Sequence, residues 1–465
     1  MIRALRGAMG ALLTLALLVG PAAAQHFPSD AELQRIIQDR VDAGLAVGIV
    51  MGVMEADGST RVFAAGEAGP GARALDAESV FEIGSISKVF TGILLAEAVR
   101  RGELELDSPI QDHLPATVRM PTRGGREVTF LDIATHHSGL PRLPGNMAPA
   151  DMTNPYADYT VEQMYEFLSG HELRRDIGAE FEYSNLAVGL MGHALARAAG
   201  TDYETLVKDR VLSPLGMTRS GITLDAGMAS RMVKGHDQNG AVVPNWDLPT
   251  LAGAGALRSN MVDMFAFLDA NVGDASSDLE RSMRDSHTPQ ADAGPGGRIG
   301  LNWIIREAGE SSIVWHNGGT GGFRTFMGFD PAAGVGAVVL TNSGHGADDI
   351  GFHVINPALP LAPPAAPAPR APTPDEVEVA TEILQDYVGD YQLAPEMIAT
   401  FTVENGQLFT QLTGQQRFPL FASSETEFFL KVVEADLRFE RDASGQVVRV
   451  ILNQNGQAMP ANKIR

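Results

Sequence analysis

Ser85 and Lys88 are a serine and a lysine three residues apart in the stretch Phe81-Glu82-Ile83-Gly84-Ser85-Ile86-Ser87-Lys88-Val89-Phe90. They open an apolar run that continues to Arg101 and reads as a helix, with Gly102 as its stop. On a helix the two side chains share a face, one turn apart. A serine hydroxyl is a weak nucleophile at neutral pH and needs a base beside it. A lysine serves as that base only when burial or neighbouring positive charge lowers its pKa. The positive end of the helix dipole at Ser85 would also favour an oxyanion forming there. The plainer reading is a serine N-cap followed by a solvated lysine. Against it stands the chain's sparing use of lysine: of Lys88, Lys208, Lys234, Lys431 and Lys463, only Lys88 follows a serine by three. Lys88 also lies in one of the most apolar stretches, where a lysine is costly.

Two later stretches carry similar chemistry. Tyr183-Ser184-Asn185 precedes an apolar helical pattern, and His316-Asn317-Gly318-Gly319-Thr320-Gly321-Gly322-Phe323 follows the strand-like Ile313-Val314-Trp315. Alone, the first reads as a helix start and the second as a turn between strands. His136-His137 reads as a structural loop pair, since no helix-spaced partner for a metal is evident. Trp246 and the run Gly253 to Gly255 either line a rim or simply pack. Arg324 reads as a surface strand arginine, with contact to a substrate carboxylate as the alternative.

The elements that must position these residues follow from pattern. Ala31 to Ala43 is an expected helix, Ala46 to Glu55 a strand, and Asp57-Gly58 a turn into Arg61 to Ala65. Helices are expected at Val128 to Ala134, Val161 to Leu168, Leu186 to Ala199, Tyr203 to Val211 and Asn260 to Asn271. The proline- and methionine-rich stretch Pro144 to Asp158 reads as a mobile flap. Strands then return at Gly300-Ile305, Ser312-His316, Arg324-Asp330 and Val335-Thr341. Strands at both ends with helices between predict one α+β unit whose antiparallel sheet is built from both chain ends. Pro357 to Pro374 holds eight prolines and reads as a semi-rigid polyproline II linker. Beyond it, turn signals at Asn405-Gly406, Ser444-Gly445 and Asn455-Gly456 between alternating runs predict a small all-β barrel.

With 465 residues there is room for two or three domains. The net charge of -22 argues against a nucleic-acid partner. The absence of cysteine excludes disulfides and thiol catalysis. Residues 1–24 read as a secretory signal: Arg3 and Arg6 at the start, an apolar Ala11 to Val19, and Ala22-Ala23-Ala24 before Gln25. No later segment is long and apolar enough to span a bilayer, so a periplasmic or secreted protein is expected. The domain reading is therefore signal 1–24, hydrolase-like domain 25–356, linker 357–374 and β domain 375–465.

In this order and at these separations, the three motifs resemble those of the serine β-lactamase and penicillin-binding-protein superfamily, in its class C-like branch, where a Tyr-x-Asn replaces S-D-N. The likeness covers roughly Ala31 to Phe352 and includes the run Phe81 to Leu114. Ala134-Thr135-His136-His137-Ser138-Gly139-Leu140-Pro141-Arg142, Tyr183-Ser184-Asn185-Leu186 and Leu251-Ala252-Gly253-Ala254-Gly255 look closest to D-alanyl-D-alanine carboxypeptidase/endopeptidases. The C-terminal segment is similar to the lipocalin-like appendage of some relatives. The resemblance implies a β-lactamase/transpeptidase-like fold. It also implies that Ser85 attacks the carbonyl, that Lys88 and Tyr183 share the proton, and that Asn185 holds Lys88 and the substrate amide. Backbone N–H groups of Ser85 and Gly319 would form the oxyanion hole, with His316 and Gly318 beside the substrate. Implied substrates are peptidoglycan-derived peptides, β-lactams or small esters, and no metal or cofactor. His316 stands where β-lactamases usually carry lysine. A histidine is only partly charged near neutral pH, so it would bind a carboxylate less firmly or carry a proton.

Overall fold

The strand Gly48–Met54 carries apolar side chains on both faces and is buried along its whole length. Such a strand belongs at the middle of a sheet covered on both sides. In the computed structural model it lies between Thr60–Gly66 and Val335–Thr341, antiparallel to both, with Ile49 opposite Thr341 and Met54 opposite Gly336. That pairing joins the two ends of the unit. The sheet continues through Arg324–Asp330, Ser311–Gly319, Ile304–Ala308, Gly297–Ile299 and Ala291–Asp292, eight strands in all. The structure describes residues 26–294, 297–309, 311–363, 376–394, 397–413, 417–431, 435–442, 444–454 and 457–465. The signal-like segment 1–24, most of the proline-rich segment and the Asn455-Gly456 turn lie outside them.

Alternation along the central strands sorts the core into two layers. Ile49, Met51 and Val53 pack with residues of the helices Asp30–Asp42 and Asp348–Ile355. Val50, Met54, Val338 and Leu340 face a larger apolar layer built from the helical region. Inside that layer runs the helix Ser87–Arg100, buried at every position from Ser87 to Ala98. A helix apolar all round can only be an interior helix. It packs against Asn185–Ala198, Asp278–Ser286 and the short helix Ala252–Gly255. Among the described residues, no helix is long and apolar enough to cross a membrane.

The expected strand Gly300-Ile305 is broken. Asn302 sits at φ +65° and the Gly300 N–H bonds the Trp303 carbonyl, so residues 300–303 form a turn between two strands. A left-handed asparagine ends regular pairing. The helix from Tyr203 is α-helical to Val207 and continues as a π-helix over Lys208–Leu212. The helices Asp278–Ser286 and Thr381–Tyr387 lie outside the pattern reading, although Ser277 and Glu280 form a capping box at the start of the first.

The C-terminal segment is a closed eight-stranded barrel from Gly389–Ala394 to Gln457–Lys463, and these first and last strands pair to close it. Asn405 and Gly406, both at positive φ (+50° and +76°), form its first long hairpin turn.

Candidate active site

Ser85 lies in the 3-10 turn Gly84–Ile86, which leads into the helix Ser87–Arg100. Ser85 is half-buried while the neighbouring positions are fully buried, so the hydroxyl is the one group of the turn offered to a ligand. The turn is pinned from three sides. The Ser87 hydroxyl donates to the Gly84 carbonyl (2.7 Å) and accepts from the Leu257 N–H (3.0 Å). The Thr325 hydroxyl donates to the Ile83 carbonyl (3.0 Å). The strand Ser311–Gly319 passes so close that a Cβ on Gly318 would lie 1.9 Å from the Ile83 carbonyl oxygen. A Cβ on Gly84, which sits at φ +50°, would lie 2.7 Å from the Gly319 nitrogen. Both positions need glycine for Gly319 to stand beside Ser85.

Lys88 is fully buried. Its Nζ is 3.1 Å from Ser85 Oγ, 2.8 Å from Asn185 Oδ1 and 2.6 Å from the Ala254 carbonyl. The carbonyl and the amide oxygen can only accept, so each takes an N–H. In a neutral amine, the position left toward Ser85 is the lone pair. Burial, reinforced by the positive charge of Arg142, holds the Lys88 pKa well below the usual lysine range. The run Gly253 to Gly255 thus sits beneath Lys88 and not at a rim; the Gly253 carbonyl accepts from Thr91, which also bonds the Tyr203 hydroxyl.

Tyr183 and Ser184 precede the helix Asn185–Ala198, which Ser184 caps by accepting from the Ala187 N–H (2.9 Å). The Tyr183 ring lies 4.8 Å from Lys88 Nζ and 5.2 Å from the Arg142 guanidinium carbon. Its hydroxyl bonds Ser85, and burial pushes its pKa up, so the phenol keeps its proton. Two imidazoles lie near the ring. His136, at φ +60°, is 4.5 Å away between centroids, and His316 is 6.1 Å away. His316 Nδ1 must donate to the Asn317 carbonyl (2.6 Å), leaving its buried Nε2 lone pair without a partner among the described residues. Burial, followed by the charge of Lys88, lowers its pKa to about 3. His316 therefore rests neutral and brings no charge to a carboxylate. His136 has the opposite tautomer: its Nδ1 accepts from the Ser184 N–H (3.2 Å), and its pKa too is held well below the ordinary value, first by burial. It is more than a loop residue, since it fixes the backbone beside Tyr183.

Sequence reasoning missed three contributors. Tyr156 lies in the expected flap. Its hydroxyl accepts from Asn185 Nδ2 (3.3 Å), and its ring is 5.4 Å from Trp246. That segment is docked: Trp246 Nε1 donates to the Thr153 carbonyl (3.0 Å), and Asn154 and Asp247 exchange bonds of 2.8 and 3.0 Å. Glu82 is buried below Trp246, accepting its N–H (2.9 Å), with Arg258 at 3.6 Å. Burial pushes the Glu82 carboxyl up to about 7, against the neighbouring Thr320 hydroxyl and the Arg258 charge, which lower it. Arg142 is exposed over the Tyr183 ring and forms no ion pair among the described residues. Arg142 was legible as part of the His136 to Arg142 run, and Glu82 as a carboxylate in an apolar stretch; Tyr156 gave no signal of its own. Arg324, by contrast, is half-buried. Its guanidinium donates to the Thr320 and Phe323 carbonyls (2.6 and 2.8 Å) and braces the glycine-rich turn.

A sheet closed from both chain ends, with a serine turn and a tyrosine meeting beneath one edge of the helical region, defines a serine-hydrolase architecture. The β-lactamase family profile matches residues 33–356, and the chain belongs to that family. A domain of unknown function matches residues 373–462. The D-alanyl-D-alanine-carboxypeptidase/endopeptidase AmpH of Escherichia coli K12 is 30% identical over 311 residues, covering 63% of this chain and 79% of its own. The solved β-lactamase/D-alanine carboxypeptidase from Yersinia pestis superposes with a TM-score of 0.60 at 25% identity, over 68% of this chain and 94% of the other. The octameric penicillin-binding protein homologue from Pyrococcus abyssi superposes with a TM-score of 0.63 at 21% identity, over 94% of this chain and all of the other. Its likeness in fold therefore extends beyond the β-lactamase-like part.

Proposed function

We propose that this chain is an exported serine hydrolase that works through an acyl-enzyme on D-amino-acid peptides, with D-Ala-D-Ala ends or crosslinks of peptidoglycan as the substrate class. The observation that carries the reading is the Lys88 hydrogen-bond set: two acceptors fix both N–H bonds of a neutral amine, and its lone pair faces Ser85. Ser85 Oγ attacks the substrate carbonyl and gives its proton to Lys88. The developing oxyanion is met by the backbone N–H groups of Ser85 and Gly319. Tyr183, protonated and bonded to Ser85, passes its proton to the leaving amine and recovers one from Lys88. Water then cleaves the ester in the reverse sense. Asn185 holds Lys88 on one side and Tyr156 on the other. The substrate class rests on the family and on the activity in the name of AmpH. Export rests on the signal-like residues 1–24.

A second reading has a specific observation behind it. His316 is neutral and supplies no cation for a terminal carboxylate, and Arg324 turns Nη1 to the Thr320 and Phe323 carbonyls. The missing charge at His316 favours esters or internal crosslinks over free peptide ends. The test is D-alanine release from a peptide ending in D-Ala-D-Ala, beside hydrolysis of a short-chain p-nitrophenyl ester, with wild type and Ser85→Ala. The peptidase reading expects D-alanine release that Ser85→Ala abolishes. Ester turnover with neither D-alanine release nor cleavage of a D-alanyl-crosslinked peptide would overturn it in favour of an esterase.

A further inference from the structure

We propose that the C-terminal barrel is a binding site for one aliphatic chain of about six to eight carbons, its polar end at the barrel's mouth. This inference does not depend on the hydrolase reading.

The two halves of the barrel lumen are built differently. The helix Thr381–Tyr387 packs on the strands Met397–Glu404 and Gln407–Leu412. The half of the lumen near it is filled by aromatic rings: Tyr387 stacks on Phe439 at 4.2 Å, and Tyr391 meets Phe401 edge-on at 5.0 Å. The other half holds a cavity of about 180 Å³. Leucines 393, 412, 437 and 452 and Phe418 form much of its wall, and Thr410 is the one polar side chain of the lining among the described residues. The inward positions that leave the space are Ala399 and Ala435. A phenylalanine at either would occupy it.

Protein interiors are close-packed, and a void of this size forgoes the contacts its walls could make. Water does not fill it well, because a buried water needs two to four polar partners and the described lining offers one hydroxyl. An apolar cavity of about 150 Å³ takes up a benzene ring, so this one suits on the order of six to eight carbons. Eight strands enclose a lumen only wide enough for one small ligand, which favours a single chain lying along the axis. Leu393, Leu412, Phe418 and Leu430, at the end away from the helix, line the cavity and are only half-buried, so the polar head is placed at that end.

The test uses the full chain. Calorimetric titration with butanoate, hexanoate, octanoate and decanoate is expected to give one saturable site. Affinity should rise about fourfold per methylene and level off near octanoate, where the lumen is full. Ala399→Phe is expected to weaken octanoate binding at least tenfold while leaving the melting temperature unchanged or raised; Ala435→Leu is the second filling variant should the first fail to fold. Co-sedimentation with phosphatidylcholine vesicles identifies the source of the chain. Pelleting by wild type and not by Ala399→Phe assigns it to a bilayer lipid, whereas octanoate binding alone assigns it to a free chain. Absence of saturable binding to every acid and to vesicles overturns the proposal. So does octanoate affinity that is unchanged in folded filling variants.

Discussion

At the scale of single residues, the account turns on proton positions. Lys88 is lowered and Tyr183 raised by the same burial, because desolvation penalises the charged form of each. Burial thus favours the amine of one and the phenol of the other. The acid limb of kcat/KM should report protonation of Lys88, and Arg142 helps hold that pKa down. Arg142→Gln removes a positive charge, so the Lys88 pKa rises and the acid limb moves to higher pH; a pH–rate profile superimposable on wild type would refute this coupling. Glu82 titrates the opposite way. Its folded pKa of about 7 exceeds the ordinary 4.5, so the folded state keeps a proton that the unfolded state releases between those values. Its contribution is present in full below pH 4.5 and is lost as pH rises through 7. Glu82→Gln keeps an acceptor for the Trp246 N–H and avoids the charge. Relative to wild type, it should gain stability at pH 8, by about 3 kcal/mol at most, and little at pH 4.5. Thermal melts of both proteins at the two pH values check this, and an equal gain at both would contradict it.

At the scale of elements, the site is a junction of a helix start, a helix cap, a strand end and a docked loop. The first three were legible because chemistry and local structure coincide there. Ser85 opens an apolar helix, Tyr183-Ser184-Asn185 caps another, and His316 to Gly319 ends a strand whose glycines permit close approach. The loop was legible only as proline-rich sequence. Tyr156 reaches Asn185 because Trp246, Thr153, Asn154 and Asp247 tie residues 151–158 down, contacts between segments about 90 residues apart that no local pattern encodes. Arg324 was misread for the same reason: strand alternation does not reveal that a turn folds over its guanidinium. Trp246→Ala should loosen the loop and leave Ser85, Lys88 and Tyr183 in place. An aromatic pair contributes about 0.5–1.5 kcal/mol beyond its buried area, so KM should rise by about three- to tenfold with kcat changed less. A large fall in kcat at unchanged KM would assign Trp246 a different role.

At the scale of the whole molecule, the strand–helix–strand order predicted a sheet closed from both ends, and the pairing of Gly48–Met54 with Val335–Thr341 is that closure. The barrel was legible from its turns and alternation, since inward positions such as Phe401, Leu408 and Leu437 recur at every second residue between outward polar ones. What sequence alone could not give was its cavity, which depends on which small residues meet across the lumen. The central claim, an acyl-enzyme on Ser85, is tested most directly by intact-protein mass spectrometry after mixing the full chain with benzylpenicillin, followed over time. The account predicts a covalent adduct of one penicillin per chain, mapped to the peptide containing Ser85 and absent from Ser85→Ala. The same adduct on Ser85→Ala, or no adduct at any time, would contradict it.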